Sequence, residues 1–304
     1  MQRLLLPFHK LRRQPTCLPA VAPIAPPITW TGFYVGGNIG YSWGRAQTDF
    51  SGNTVTTQTF NPGIPVTVTN FPASPFADSH KQSLNGVIGG GQIGLNYQFS
   101  PKWVVGFEFD FQGSGQRGSS TVSDPLAGAF CSGFSTVPPL CIAFVPASGS
   151  ATTTLDAKID WFGTARGRLG FLVTDQLLLN ATGGLAYGEV KLSGLTNASL
   201  AGTIAGVPVQ GGTSIAFGDS RTNVGWTVGG GIEGKFWGWL SPAWSWKAEY
   251  LYIDLGSLDT VTLRGPSTAV GNLFGNTTMT IGPLTTHTRF TDNIVRVGLN
   301  YKLF

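Results

Sequence analysis

WVVGFEFDFQ, residues 103–112, sets Trp103, Val105, Phe107, Phe109 and Phe111 at one parity and Gly106, Glu108, Asp110 and Gln112 at the other. Side chains alternate across a β-strand with period two. The stretch therefore predicts a strand with one bulky aromatic face and one small or charged face. No helical face would collect four rings in this spacing.

The same alternation recurs on both sides of it. In GFYVGGNIGYSWG (32–44), Phe33, Val35, Ile39, Tyr41 and Trp43 oppose Tyr34, Gly36, Asn38, Gly40 and Ser42. Segments 86–99, 158–171, 177–188, 223–236, 244–253 and 294–303 repeat the pattern, which makes eight strands in all. Three connections are short (100–102, 172–176 and 237–243), and four are long and rich in Ser, Thr, Gly, Asn and Pro (44–85, 113–157, 189–222 and 254–293). Short and long connections alternate, as in an antiparallel up-and-down meander whose two termini lie on the short-turn side. Outer-membrane barrels pair short periplasmic turns with long extracellular loops in this way.

Composition agrees. Charged residues are 11% of the 304, apolar residues 41%, aromatics 12%, and glycine numbers 43. An ordinary soluble domain carries about 25% charged residues, and a disordered chain lacks the apolar content. The formal charge of +4 belongs to the N-terminal tip, where Arg3, Lys10, Arg12 and Arg13 meet no acid; residues 14–304 balance at 15 against 15. No basic stripe marks the body, so no nucleic-acid partner is expected. No run reaches the 18 apolar residues of a membrane helix, and only a closed barrel otherwise satisfies the backbone in lipid. Residues 1–29, with six prolines, read as a leader remnant and extended spacer before a barrel domain over 30–304.

Volume and charge decide which face meets lipid. The bore of an eight-stranded barrel is only just wide enough to be filled by side chains, so the rings must point outward. Twelve strand charges share the small-residue parity: Glu108, Asp110, Lys158, Asp160, Arg166, Arg168, Glu233, Lys235, Lys247, Glu249, Arg296 and Lys302. A mid-bilayer Arg or Lys facing lipid costs about 2–4 kcal/mol, and buried charges must be paired. The expectation is an intraluminal ion network centred on Glu108 and Asp110 opposite Arg166 and Arg168, with Asp160, Glu233, Lys235, Lys247, Glu249 and Arg296 taking part. The strand ends predict two interfacial girdles. Trp30, Phe33, Phe99, Trp103, Phe171, Trp244 and Tyr301 form one, and Tyr41, Trp43, Phe109, Phe111, Trp161, Tyr187, Tyr250 and Tyr252 the other. A soluble carrier barrel would instead pack Phe107, Trp226 and Tyr250 at its centre.

Other motifs carry less. GGGQIG (89–94) and GGGIEG (229–234) match GxGxxG, but a dinucleotide site needs that motif at a strand-to-helix turn; inside strands their glycines relieve crowding. Cys131 and Cys141 share one long connection, and an oxidising envelope favours a disulfide there over two free thiols. His80 and His287 lie in opposite long connections, where solvated side chains are the plainer reading than a metal or haem site. No catalytic motif, metal site or cofactor is expected.

WTGFYVGGNIGYSWG (30–44), KAEYLYIDLG (247–256) and DNIVRVGLNYKLF (292–304) resemble the alpha-proteobacterial outer-membrane immunogenic protein and porin family of small OmpA-like barrels. The resemblance implies an outer-membrane location, insertion by the barrel assembly machinery, and surface-exposed antigenic loops. It also implies a terminal insertion signal at Phe304, although Phe304 falls out of alternation with Tyr301. Some relatives are associated with envelope integrity, host interaction or haem binding. The expected function is a monomeric, non-enzymatic barrel that meets outer-membrane lipids and lipopolysaccharide and displays loops to an extracellular or host ligand. The alternatives are a narrow passive porin and a surface binder of haem or a host ligand.

Overall fold

A computed structural model describes residues 29–52, 54–60, 76–136, 139–236, 243–262, 268–272, 275–281 and 284–303. Every regular element among them is a strand: β1 (Gly32–Gly52), β2 (Thr54–Phe60), β3 (Phe76–Ser100), β4 (Trp103–Thr136), β5 (Pro139–Thr174), β6 (Leu177–Ile204), β7 (Val207–Lys235), β8 (Trp244–Thr262), β9 (Thr268–Asn272), β10 (Gly275–Ile281) and β11 (Leu284–Lys302). Eight of these close a ring in the order β1-β11-β8-β7-β6-β5-β4-β3, all neighbours antiparallel, and β2-β10-β9 form a small separate sheet. The strands anticipated from alternation are the ring.

Ring closure satisfies the backbone that lipid would leave unpaired. The rings point out of it: Phe107, Trp226 and Tyr250 are 57%, 49% and 44% exposed. They stand on the outer wall, not at the centre of the molecule. Both girdles form, with contacts between neighbouring strands at Trp103–Phe171 and Trp244–Tyr301 below and Phe111–Trp161 and Trp226–Tyr252 above. Trp30 departs from its expected place. It lies inside the short-turn mouth, buried against Val104, Leu172 and Leu178, where its indole donates to the Asp175 carbonyl at 3.2 Å.

The long connections are themselves largely strand. β4 and β5 stay paired from Trp103–Phe171 to Thr136–Pro139, and β6 and β7 from Leu177–Gly234 to Ile204–Val207. Ala205 and Gly206 close the latter hairpin with φ of 49° and 81°, as a two-residue type I′ turn requires. Ser/Thr-rich sequence hides this continuation because its alternation is small against polar, not aromatic against polar. Cross-strand hydroxyl pairs such as Thr153–Thr196 at 3.0 Å show it. Above the outer girdle the wall divides. The β7–β8 ladder stops at Trp226–Asp254 and the β3–β4 ladder at Asn85–Arg117, while the flanking strands run on. β9 and β10 lie against β7.

Candidate functional site: the barrel interior

In β1, β3, β6 and β11 the even-numbered residues face the bore, as their burial shows. Arg166, Arg168 and Arg296 enter it together with Lys247, against Glu108, Asp110, Glu233 and Glu249. Each of the eight is almost fully buried. The Arg166 guanidinium donates to Glu108 at 2.5 Å, to Asp110 at 2.8 Å and to Glu249 at 2.5 Å. Arg296 meets Asp110 at 2.9 Å and Glu249 at 2.8 Å. Lys247 meets Glu108 at 2.7 Å, and Arg168 meets Glu233 at 2.6 Å. Four cations thus face four acids, and the set is neutral. Neutrality matters, since a single unpaired charge held out of water costs several kcal/mol.

Neutral hydroxyls and amides complete the network. The Tyr34 hydroxyl donates to Glu108 at 2.6 Å and accepts from Arg168 at 2.8 Å. Thr164 donates to Asp110 at 2.7 Å, and Ser245 and Asn300 donate to Glu233 at 2.9 and 3.1 Å. Glycine makes the room for Tyr34: a Cβ at Gly94 would stand 2.3 Å from the Tyr34 ring. This gives the last glycine of GGGQIG a steric role. Tyr34 is not among the network residues expected from charge, although its even position beside Gly36 and Asn38 carries the signal.

Four of the twelve expected charges lie elsewhere. Lys235 and Lys302 stand at the short-turn mouth and donate to the Thr29 carbonyl at 2.9 and 3.2 Å. Lys158 and Asp160 are outside the wall. A β-bulge shifts the β5–β6 register between Ile159 and Trp161, so Ile159 and Phe162 both face inward and Asp160 and Trp161 do not. One extra residue reverses the parity of everything beyond it. Asp160 bonds to Lys158 and, at 2.7 Å, to Lys191. These two ammonium groups hold its carboxyl below the ordinary aspartate range.

Apolar layers close the network on both sides. Toward the short turns lie Trp30, Val104, Leu172 and Leu178. Toward the long connections, Ile88, Phe162, Ala186, Leu251 and Ile294 begin a cluster that continues to Leu255, Leu258 and Phe290. Within it Asp292 is held by Ser42 and, at 3.0 Å, by Gln116. A cavity of about 20 Å³ between Trp30, Tyr34, Glu233 and Lys302 has room for roughly one water.

The other candidates read from the sequence do not form a second site. His80 and His287 sit at opposite parities, His80 toward the bore and His287 outward against Asp259. No cluster of metal-ligating side chains occurs among the described residues. The backbone pairs Cys131 with Phe144 and Cys141 with Phe134; the cysteine side chains, residues 1–28 and Phe304 lie outside the described residues.

Comparison with known proteins accords with this architecture. The chain is 33% identical to the 31 kDa outer-membrane immunogenic protein of Brucella melitensis over 284 residues, 92% of this chain and 88% of that one. It is 25% identical to the 22 kDa outer membrane protein of Rhizobium leguminosarum over 239 residues, 78% of this chain and 70% of that one. Among solved structures, the attachment invasion locus protein Ail of Yersinia pestis matches at a TM-score of 0.26 and 12% identity, covering 83% of this chain and 98% of Ail. A model of the outer membrane protein beta-barrel domain matches residues 17–302, and the chain belongs to that family.

Proposed function

We propose that this outer-membrane protein is a closed, monomeric, non-enzymatic barrel that reinforces the membrane and carries its long strand extensions outside the cell. The observation that supports this reading is the filled bore. A neutral ion network, flanked by two apolar layers, occupies the cross-section through which a solute would pass. A passive porin needs a continuous polar path there. The short turns and the Thr29 end face the periplasm in this reading, and the paired extensions of β4–β5 and β6–β7 face outward to an extracellular or host ligand. Outer-membrane phospholipid, lipopolysaccharide and the barrel assembly machinery are its other partners.

Protease treatment of intact cells tests the display. Cleavage confined to the long connections, within 113–157 or 189–222, with the short turns 100–102 and 172–176 left intact, is the expected result. Cleavage at 172–176 on intact cells, with 113–157 cut only after lysis, would reverse the orientation and end the surface role.

A further inference from the structure

The apolar layer at the short-turn end differs in kind from the one above the network. Val104, Leu172 and Leu178 belong to β4, β5 and β6, but Trp30, the one aromatic residue among them, precedes β1. In the ring, β6 stands directly opposite β1. The chain therefore reaches its place by crossing the mouth of the bore. The Trp30 backbone donates to Gln98 Oε1 on β3 at 3.1 Å, and Thr31 Oγ1 accepts from the Gln98 backbone at 3.0 Å. On the far side the indole donates to the Asp175 carbonyl in the β5–β6 turn. The Lys235 ammonium on β7 lies 5.1 Å from the centre of the Trp30 ring, a cation–π distance. Lys235 and Lys302 of β11 both donate to the Thr29 carbonyl. Residues 29–31 thus engage β3, β4, β5, β6, β7 and β11.

None of this hold is a strand ladder. The pairings of β1 begin at Gly32 with β3 and at Tyr34 with β11. A ring strand cannot leave the wall without losing its row of backbone hydrogen bonds, whereas residues 29–31 can leave the mouth by giving up one buried indole and a few side-chain bonds. Local opening of this kind occurs well below the cost of global unfolding. Behind Trp30 lies the cavity of about 20 Å³, with Glu233 and Ser245 on its wall. Asn96 Oδ1, buried beside it, has no hydrogen-bond partner in the protein, as suits a group that meets water. Glu233 is in turn the partner of Arg168. The indole therefore stands between the mouth and the first ion pair of the network.

We propose that residues 29–31 are a strap across the short-turn mouth, with Trp30 as its plug, and that the strap opens and closes independently of the barrel wall. Open, it admits water to Asn96, Ser245 and the Arg168–Glu233 pair. Closed, it completes an apolar seal that Val104, Leu172 and Leu178 only line. The second apolar layer, beyond the network, is built from ring strands and does not move with it. The two ends of the bore are thus closed by different devices, one releasable and one fixed.

The test reads the reactivity of a cysteine placed behind the strap. S245C, in a chain carrying C17S/C131S/C141S, sets a thiol on the cavity wall. S42C, in the same background, sets one at the other end, where Ser42 is fully buried. The full-length chain, purified in detergent and shown folded by heat-modifiable migration, is treated with a small water-soluble methanethiosulfonate. Behind the native strap S245C is expected to react slowly. W30A should raise its rate about a hundredfold. K235Q/K302Q, which frees the Thr29 carbonyl but keeps the indole, should raise it about tenfold. S42C should react slowly in all three. Fast reaction of S245C behind the native strap, or a rate that W30A leaves unaltered, overturns the proposal. A parallel rise at S42C would show the whole barrel loosening and overturns a strap that moves independently. If W30A does not fold, K235Q/K302Q decides alone, and an unaltered S245C rate there overturns the proposal. Conductance of the native barrel reports closure of the bore separately from these rates.

Discussion

Arg166 shows how tightly a single residue can be bound into this interior. Its guanidinium reaches three carboxylates, and its side chain is fully buried. Replacing a buried ion pair whole by apolar groups can be neutral, but removing one partner leaves a charge uncompensated and costs about 3–5 kcal/mol. Arg166→Met leaves Glu108, Asp110, Glu233 and Glu249 facing Arg168, Lys247 and Arg296. The expected loss is about 3–5 kcal/mol in the unfolding of the lipid-reconstituted barrel by denaturant. A loss under about 1 kcal/mol would show that the carboxylates do not depend on it. Parity in the sequence already places Arg166 beside Glu108, because the two occupy the same face of strands joined by one hairpin. What alternation does not carry is the completion of the network by Tyr34, an aromatic on the small-residue face admitted by Gly94.

At the scale of the element, the bulge in β5 explains why parity misplaces Asp160 and Lys158. Period-two counting from Arg166 back to Lys158 assumes an unbroken ladder, and an extra residue at Asp160 breaks it. Such a bulge has no fixed residue signature when glycine is absent from it. Removing Asp160 would leave Ile159 inward, Trp161 outward and Phe162 inward, so every other side chain keeps its face. Deleting Gly183, in the unbulged middle of β6, forces one flank of that strand to invert. The deletion lacking Asp160 is therefore expected to retain heat-modifiable migration and the deletion lacking Gly183 to lose it. Electrophoresis of boiled against unboiled samples checks both, and the reverse outcome would refute the bulge. Period-two counting also underestimates strand length beyond the girdles. There the outward residues are Ser and Thr rather than rings, so the contrast between faces fades although the ladder continues.

The whole molecule is a wall with two different linings. Across the membrane its outside is aromatic and aliphatic and its inside ionic. Beyond the girdle the inside turns apolar, and polar residues, among them Lys158, Asp160 and Lys191, cover the outside. That inversion follows from the solvent on each side. Lipid selects apolar outward faces, whereas water beyond the headgroups selects the arrangement of a soluble protein. The ring, its outward aromatics and the core of the ion network are legible in the sequence because lipid enforces a strong contrast. The apolar seals above and below the network are not, since Ile88, Phe162, Leu251 and Ile294 share the inner wall with charged residues and look like exceptions to it.

Closure of the bore is the claim on which the functional reading stands, and single-channel recording of the purified barrel in a planar bilayer tests it most directly. The native chain is expected to insert without steady conductance. A stable, reproducible conductance step that scales with salt concentration would show an open water path through the network and contradict the account.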